Sequence, residues 1–180
     1  MFLSTFTKRP SQGILPKLGH KLFIFSLHKN QGAILSEIIG VIYPVPSNLL
    51  QRIFTGKDVF IKHPTCFKQL KPGQKVLFYS SHEVRGIVGE ATIKRIEMMK
   101  LDDIYRKYGE RVFITREEAR SYSRPLKDRK KGGSGRDVTF LVLELDNIRK
   151  YEKAVKPKRF ITVGGKYLTK QEYESIIRSQ

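Results

Sequence analysis

The run from Ser47 to Glu97 constrains this chain more than any other stretch. Leu49, Leu50, Ile53 and Phe54 form an apolar stripe at helical spacing that begins at Ser47, and Gly56 stops it. Val59-Phe60-Ile61 follows as a short β-prone run. Pro72-Gly73 makes a turn, Lys75 to Ser80 reads as a strand, and Gly86 to Ile96 reads as a longer one. Gly89 inside that strand predicts a bulge or a tight bend. A helix followed by several short strands cannot build a helical bundle. It predicts an α+β fold on a curled sheet or barrel.

The flanks extend the pattern. Ile38 to Tyr43 is a buried strand by composition, ended by Pro44 and Pro46. Leu101, Ile104, Tyr105 and Tyr108 mark a second helix that stops at Gly109. Thr115-Arg116-Glu117-Glu118 is a capping box, so a third helix runs to about Tyr122. Val138 to Leu145 and Phe160 to Val163 are expected strands. Thr169-Lys170-Gln171-Glu172 is a second capping box and opens a terminal helix through Ile177.

At 180 residues and 39% hydrophobic content, the chain suits one core rather than two. Residues 1–36 stand apart from the expected folded unit, 37–180. They hold no Asp or Glu, five basic residues, and Pro10, Gly13, Pro16, Gly19 and Gly32, which break any periodic pattern. Two readings stay open for this segment. It is a basic arm that touches nucleic acid, or a poorly ordered leader, down to an upstream translation start the core does not need.

Charge points to the partner. The chain carries 35 Lys and Arg against 17 Asp and Glu, a net +18. Removing the five cations of residues 1–36 leaves 30 against 17, still +13. Each cation placed near a phosphate releases counterions, so a polyanion is the expected partner, with an anionic membrane surface as the rival. No apolar run is long enough to span a bilayer. A single cysteine, Cys66, allows no internal disulfide and favours a reducing, cytoplasmic setting.

Two segments concentrate the charge. Arg124 to Arg136 includes Arg124, Lys127, Arg129, Lys130, Lys131 and Arg136 around a Gly132-Gly133-Ser134-Gly135 run. Glycines let backbone approach phosphate, but the Lys-Ser/Thr pair of a phosphate-binding loop is missing. Arg149 to Arg159 holds six more cations. The bland alternative for both is a solvated charge run. Tyr43, Phe60, Tyr79, Tyr122 and Tyr151 are candidates to stack bases, each also a candidate for plain core packing. His63, Cys66 and His82 lack the second ligand pair that a zinc site requires, so no metal or other cofactor is expected.

The Ser47 to Glu97 order resembles the PUA-like class of small β-barrels, and the ASCH-type domains in particular. Those domains carry a Gly-x-Lys-x-x-Glu-x-Arg pattern after the first helix. Here Gly56-Lys57 matches with one residue missing, Lys62 takes the arginine place, and Phe60 stands where the acidic residue belongs. Lys71-Pro72-Gly73-Gln74 and Val88-Gly89-Glu90 match well. From Ile39 onward the chain is still more similar to an archaeal PUA-like family of unknown function, through Gly40 to Pro46 and Val163 to Leu168.

The resemblance implies a curled mixed β-barrel with short peripheral helices. It also implies RNA or modified-base binding, with Lys57, Lys62 and Arg85 lining a cleft while Arg124 to Arg136 clamps backbone. Some ASCH relatives hydrolyse an acetylated cytidine with a lysine and a glutamate. The alternative is therefore a small hydrolase of a modified nucleoside, with Lys57 as the activated group and Glu90 as acid-base. The acidic residue missing at Phe60 counts against it.

Overall fold

The computed structural model describes residues 37–63, 69–82, 84–121 and 139–180. Residues 1–36, Cys66, Tyr122 and the Arg124 to Arg136 segment lie outside them. The elements are β1 (Ile38–Val45), α1 (Ser47–Phe54), β2 (Val59–Lys62), β3 (Lys75–Ser80), β4 (Gly86–Lys100) and α2 (Leu101–Tyr108). After a 3-10 turn at Gly109–Arg111 come α3 (residues 116–121), β5 (Thr139–Val155), β6 (Lys166–Thr169) and α4 (Lys170–Ile177). The six strands form one mixed sheet in the order β2-β5-β4-β3-β1-β6. Only β1 and β3 pair in parallel.

The sheet is rolled but not closed. β1 and β2 stand four strand positions apart, which in a flat sheet is roughly 19 Å. Yet the Tyr43 ring of β1 stacks on the Phe60 ring of β2 at 5.3 Å between centroids. The roll comes from the two long strands. Three register shifts interrupt the β4–β5 ladder, and each bends the pair. Gly89 sits at one of them, as the sequence predicts. A Cβ there would stand 2.5 Å from the Arg149 carbonyl oxygen and 2.6 Å from the Phe54 ring, so only glycine lets α1 close on the sheet. The edges β2 and β6 do not pair with each other. Val112 bridges Val59, and the Phe113 N–H donates to the Val59 carbonyl at 3.0 Å, covering part of the β2 edge.

Strand alternation divides the apolar residues between two cores. Val41, Tyr43, Val45, Val76, Phe78, Ala91 and Ile93 point into the main core with α1 and α2. Ile42, Leu77 and Ile87 point to the other face, where Tyr151, Leu168 and Ile176 of α4 cover them.

Most predicted elements form, with differences at their ends. β1 runs through Pro44 to Val45, because Pro44 sits in the ladder with Tyr79 as its register partner. The Ser47 hydroxyl does not cap α1; it meets the Ser80 hydroxyl at 3.2 Å. Both capping boxes form. Thr115 N donates to Glu118 at 2.7 Å, and the Thr169 hydroxyl accepts from Glu172 N at 3.3 Å. The charge run after Arg149 is strand to Val155, with Tyr151 and Val155 buried and Arg149, Lys150, Glu152 and Lys153 facing solvent. Phe160 to Val163 is not a strand. It finds no ladder, and Phe160 and Val163 are 84% and 86% exposed. Lys166–Thr169 pairs with β1 instead.

Candidate functional site

A cleft opens where the end of β1 faces β2. Pro44, Val45 and Pro46 form one lip with Asn48 and Leu49 of α1; Phe60, Ile61 and Lys62 of β2 form the other. Phe113, Ile114 and Glu118 close the end, enclosing about 250 Å³. The wall is mostly apolar. Phe60 stacks on Phe113 at 4.5 Å and on Tyr43 at 5.3 Å, a three-ring base under the cleft.

Two charges enter this apolar wall. Glu118 is fully engaged: Arg52 of α1 donates to both its oxygens at 2.7 and 3.0 Å, and the Thr115 N–H shares Oε2. The Arg52 hydrogen bonds hold the Glu118 carboxyl below the ordinary range, so it stays ionised and its charge is matched. Lys62 is different. Its Nζ lies 5.3 Å from the Tyr43 ring centroid, and among the described residues no carboxylate comes within ion-pair distance. Burial pushes its pKa down from 10.5 to about 8. At neutral pH the ammonium is mostly protonated, desolvated and unmatched by an acid, which is the state that favours an incoming acceptor.

The other expected site residues lie apart from this cleft. Lys57 lines a separate depression with Arg52, Tyr105 and Arg116. Its Nζ donates to the Glu110 carbonyl at 2.6 Å and pairs with the Glu110 carboxylate at 3.3 Å. Arg85 lies exposed in the β3–β4 turn with φ of 48° and lines neither depression. Lys57, Lys62 and Arg85 therefore do not line one cleft: Lys57 precedes β2, Lys62 ends it, and the two line different hollows. Arg124, Lys127, Arg129, Lys130, Lys131 and Arg136 lie outside the described residues.

Glu90 belongs to the other face of the sheet. It is 6% exposed and sits between β4 and α4. Tyr151 donates to it at 2.7 Å and Tyr173 at 3.0 Å; Lys75 and Arg149 each approach to 3.5 Å. Burial raises its pKa, but the Tyr151 bond, Lys75, the Tyr173 bond and Arg149 together outweigh burial and hold it below the ordinary glutamate value. Burial and the Glu90 charge push the Tyr151 hydroxyl well up, and Tyr173 up to about 12, so both remain donors. A carboxylate this saturated is not paired with Lys57, as the hydrolase alternative requires.

Of the expected stacking residues, Tyr43, Phe60 and Tyr151 are buried and serve the cores. Phe113, Ile114 and Glu118 were missed in the sequence. Their place beside β2 depends on the Val59–Val112 bridge, which has no local signature. Among the described residues no group of His, Cys, Asp and Glu is arranged to hold a metal ion, and no helix is long and apolar enough to cross a membrane.

The fold has solved counterparts. The ASCH protein of Zymomonas mobilis superposes with a TM-score of 0.64 at 13% identity, covering 79% of this chain and 96% of that one. The N-terminal domain of McrB from Staphylothermus marinus gives 0.50 at 18% identity, covering 81% and 99%. At such identities the likeness is one of fold, and it is the ASCH, PUA-like fold. In sequence, the uncharacterized protein MJECS03 of Methanocaldococcus jannaschii is 41% identical over 105 residues, covering 58% of this chain and 97% of that protein. With residues 38–170 matching its model, the chain belongs to the family described as Domain of unknown function (DUF365).

Proposed function

We propose that the protein binds RNA and holds one unpaired base in the cleft between β1 and β2. The observation that carries this reading is Lys62, a protonated, half-buried amine over the buried Tyr43 ring in a cleft walled by Phe60 and Phe113, with no acidic partner among the described residues. Aromatic and apolar walls with one polar group are what a base removed from its stack requires. The net +18 supplies the phosphate attraction, and the ASCH-like fold supports the class. A modified base, or a structured tRNA or rRNA element that presents one, is the proposed target.

The test is a panel of unpaired, duplex and modified RNAs titrated against wild type and Lys62→Met. Wild type should prefer unpaired RNA. If about five phosphates are neutralised, affinity should fall on the order of 10²-fold or more between 50 and 200 mM salt. Since the protonated amine is the binding form, affinity should be level below pH 8 and weaken by up to about tenfold per pH unit above it. Lys62→Met should erase the preference for unpaired RNA. Equal preference in both proteins would overturn the reading.

One observation favours a second reading, a small hydrolase of a modified nucleoside. An amine with a pKa near 8 has a neutral fraction able to act as base, which would place the chemistry at Lys62 rather than at Lys57 and Glu90. Release of acetate from an acetylated cytidine by wild type, lost in Lys62→Met, would establish it.

A further inference from the structure

The connection from β5 to β6, residues 156–165, presents the two most exposed large apolar side chains among the described residues, Phe160 at 84% and Val163 at 86%. They are not loose ends of a floppy loop. Ile161 between them is 5% exposed and packs with Val155, Leu168 and Ile176. A tight turn follows: Gly165 N–H donates to the Thr162 carbonyl at 2.9 Å, the Thr162 hydroxyl donates back to the Gly165 carbonyl at 2.8 Å, and Gly165 takes φ of 95°. With Ile161 turned into the core, its neighbour Phe160 is turned out to solvent.

The segment around Phe160 is strongly basic, with Glu172 of α4 as the acidic residue that lines the same hollow as Lys158 and Arg159. From Lys153 to Gln171 the chain has six cations and no carboxylate. Lys166 pairs with Glu172 of α4. Lys156, Lys158 and Arg159 are exposed and, among the described residues, pair with no acid. The loop leaves β5 at Val155, which the sheet links to the cleft. Val155 pairs with Ile87, Ile87 with Tyr79, and Tyr79 with Pro44, the residue on the cleft's lip. Three strand spacings put Val155, where the loop begins, roughly 15 Å from that lip along the sheet, while Ile161 packs on the face opposite the cleft.

We infer that this loop is a second contact for single-stranded RNA: a base stacks on Phe160 while Lys158 and Arg159 take the flanking phosphates of the strand whose other base enters the cleft. The inference rests on the RNA reading of the cleft. A rigid exposed ring beside cations is the standard element of base-tolerant stacking, and it loses little entropy because the loop is already ordered. Val163 widens the apolar platform.

The test measures fluorescence anisotropy of a labelled, unstructured RNA of about ten nucleotides and of a labelled nucleoside monophosphate, which reaches only one site. Phe160→Ser should weaken the long RNA by roughly 5- to 150-fold and leave the monophosphate unchanged. Lys158→Ala with Arg159→Ala should lower the salt slope by about 1.4, two single-strand phosphate contacts at about 0.7 each. Phe160 is exposed, so an unchanged melting temperature confirms that the variants fold. If wild type binds neither probe, the RNA reading itself fails. If wild type binds both and Phe160→Ser binds the long RNA equally well, the loop inference alone is overturned. It is also overturned if Phe160→Ser abolishes binding to phosphatidylserine vesicles but not to RNA, or turns a dimer into a monomer in sedimentation.

Discussion

Replacing Glu90 by Gln should unpin the terminal helix from the sheet. The carboxylate accepts from Tyr151 of β5 and Tyr173 of α4, so it joins three elements that are far apart in sequence. A hydrogen bond to a charged acceptor contributes about 1.5–3 kcal/mol. Both tyrosines donate to the same oxygen, Oε2, so Gln keeps one neutral acceptor for the two of them and turns its NH2 toward the cations Lys75 and Arg149. The loss is thus about half of each of two bonds, as a charged acceptor becomes a neutral one. Lys75 and Arg149 add little, because their side chains are 29% and 57% exposed and water screens them. The expected cost is about 2 kcal/mol, or roughly 4–8 °C in melting temperature for a domain of this size. The assay is thermal and urea unfolding, followed by near-ultraviolet circular dichroism of the tyrosines, since the chain has no Trp. pH supplies a second check. Glu90 titrates below its unfolded value, so its contribution is complete above the ordinary glutamate range and disappears as pH falls through the folded value. The gap between wild type and Glu90→Gln should narrow in acid. A loss under about 1 kcal/mol, or a gap independent of pH, would refute the pinning argument.

Two other substitutions probe the cleft and the roll of the sheet. Lys62→Met should stabilise the protein at pH 7 by up to about 3 kcal/mol, because the native state holds an ammonium whose pKa has fallen from 10.5 to about 8; wild type should gain on the variant as pH rises from 8 to 10.5, and urea unfolding at both limits reads this. Gly89→Ala should cost about 1–3 kcal/mol, because its Cβ meets the Arg149 carbonyl at 2.5 Å and Phe54 at 2.6 Å, and the variant Gly89→Ala with Phe54→Leu should recover only the part due to the ring.

Local chemistry was legible in the residues. The α1 stripe, both capping boxes, the Pro72-Gly73 turn and the Gly89 bulge each depend on neighbours within a few positions, and each formed where the pattern placed it. Lys62 was named as a site residue from its motif position, but nothing in the sequence gave its burial, which comes from Pro44, Tyr43 and Phe113 meeting β2 across the rolled sheet. The charged half of β5 hid its strand because a ladder with β4 needs no apolar alternation on the solvent face. Phe160 to Val163 looked like a strand by composition, yet β1 had already taken β6 as its partner. Glu90 was named as the acid-base of the hydrolase alternative; the two tyrosines of β5 and α4 that donate to it make it a buried brace. Short-range steric and hydrogen-bonding preferences fix elements from sequence, whereas pairing, desolvation and the company of a charge are set by residues tens to a hundred positions away, which only the closed tertiary structure brings together.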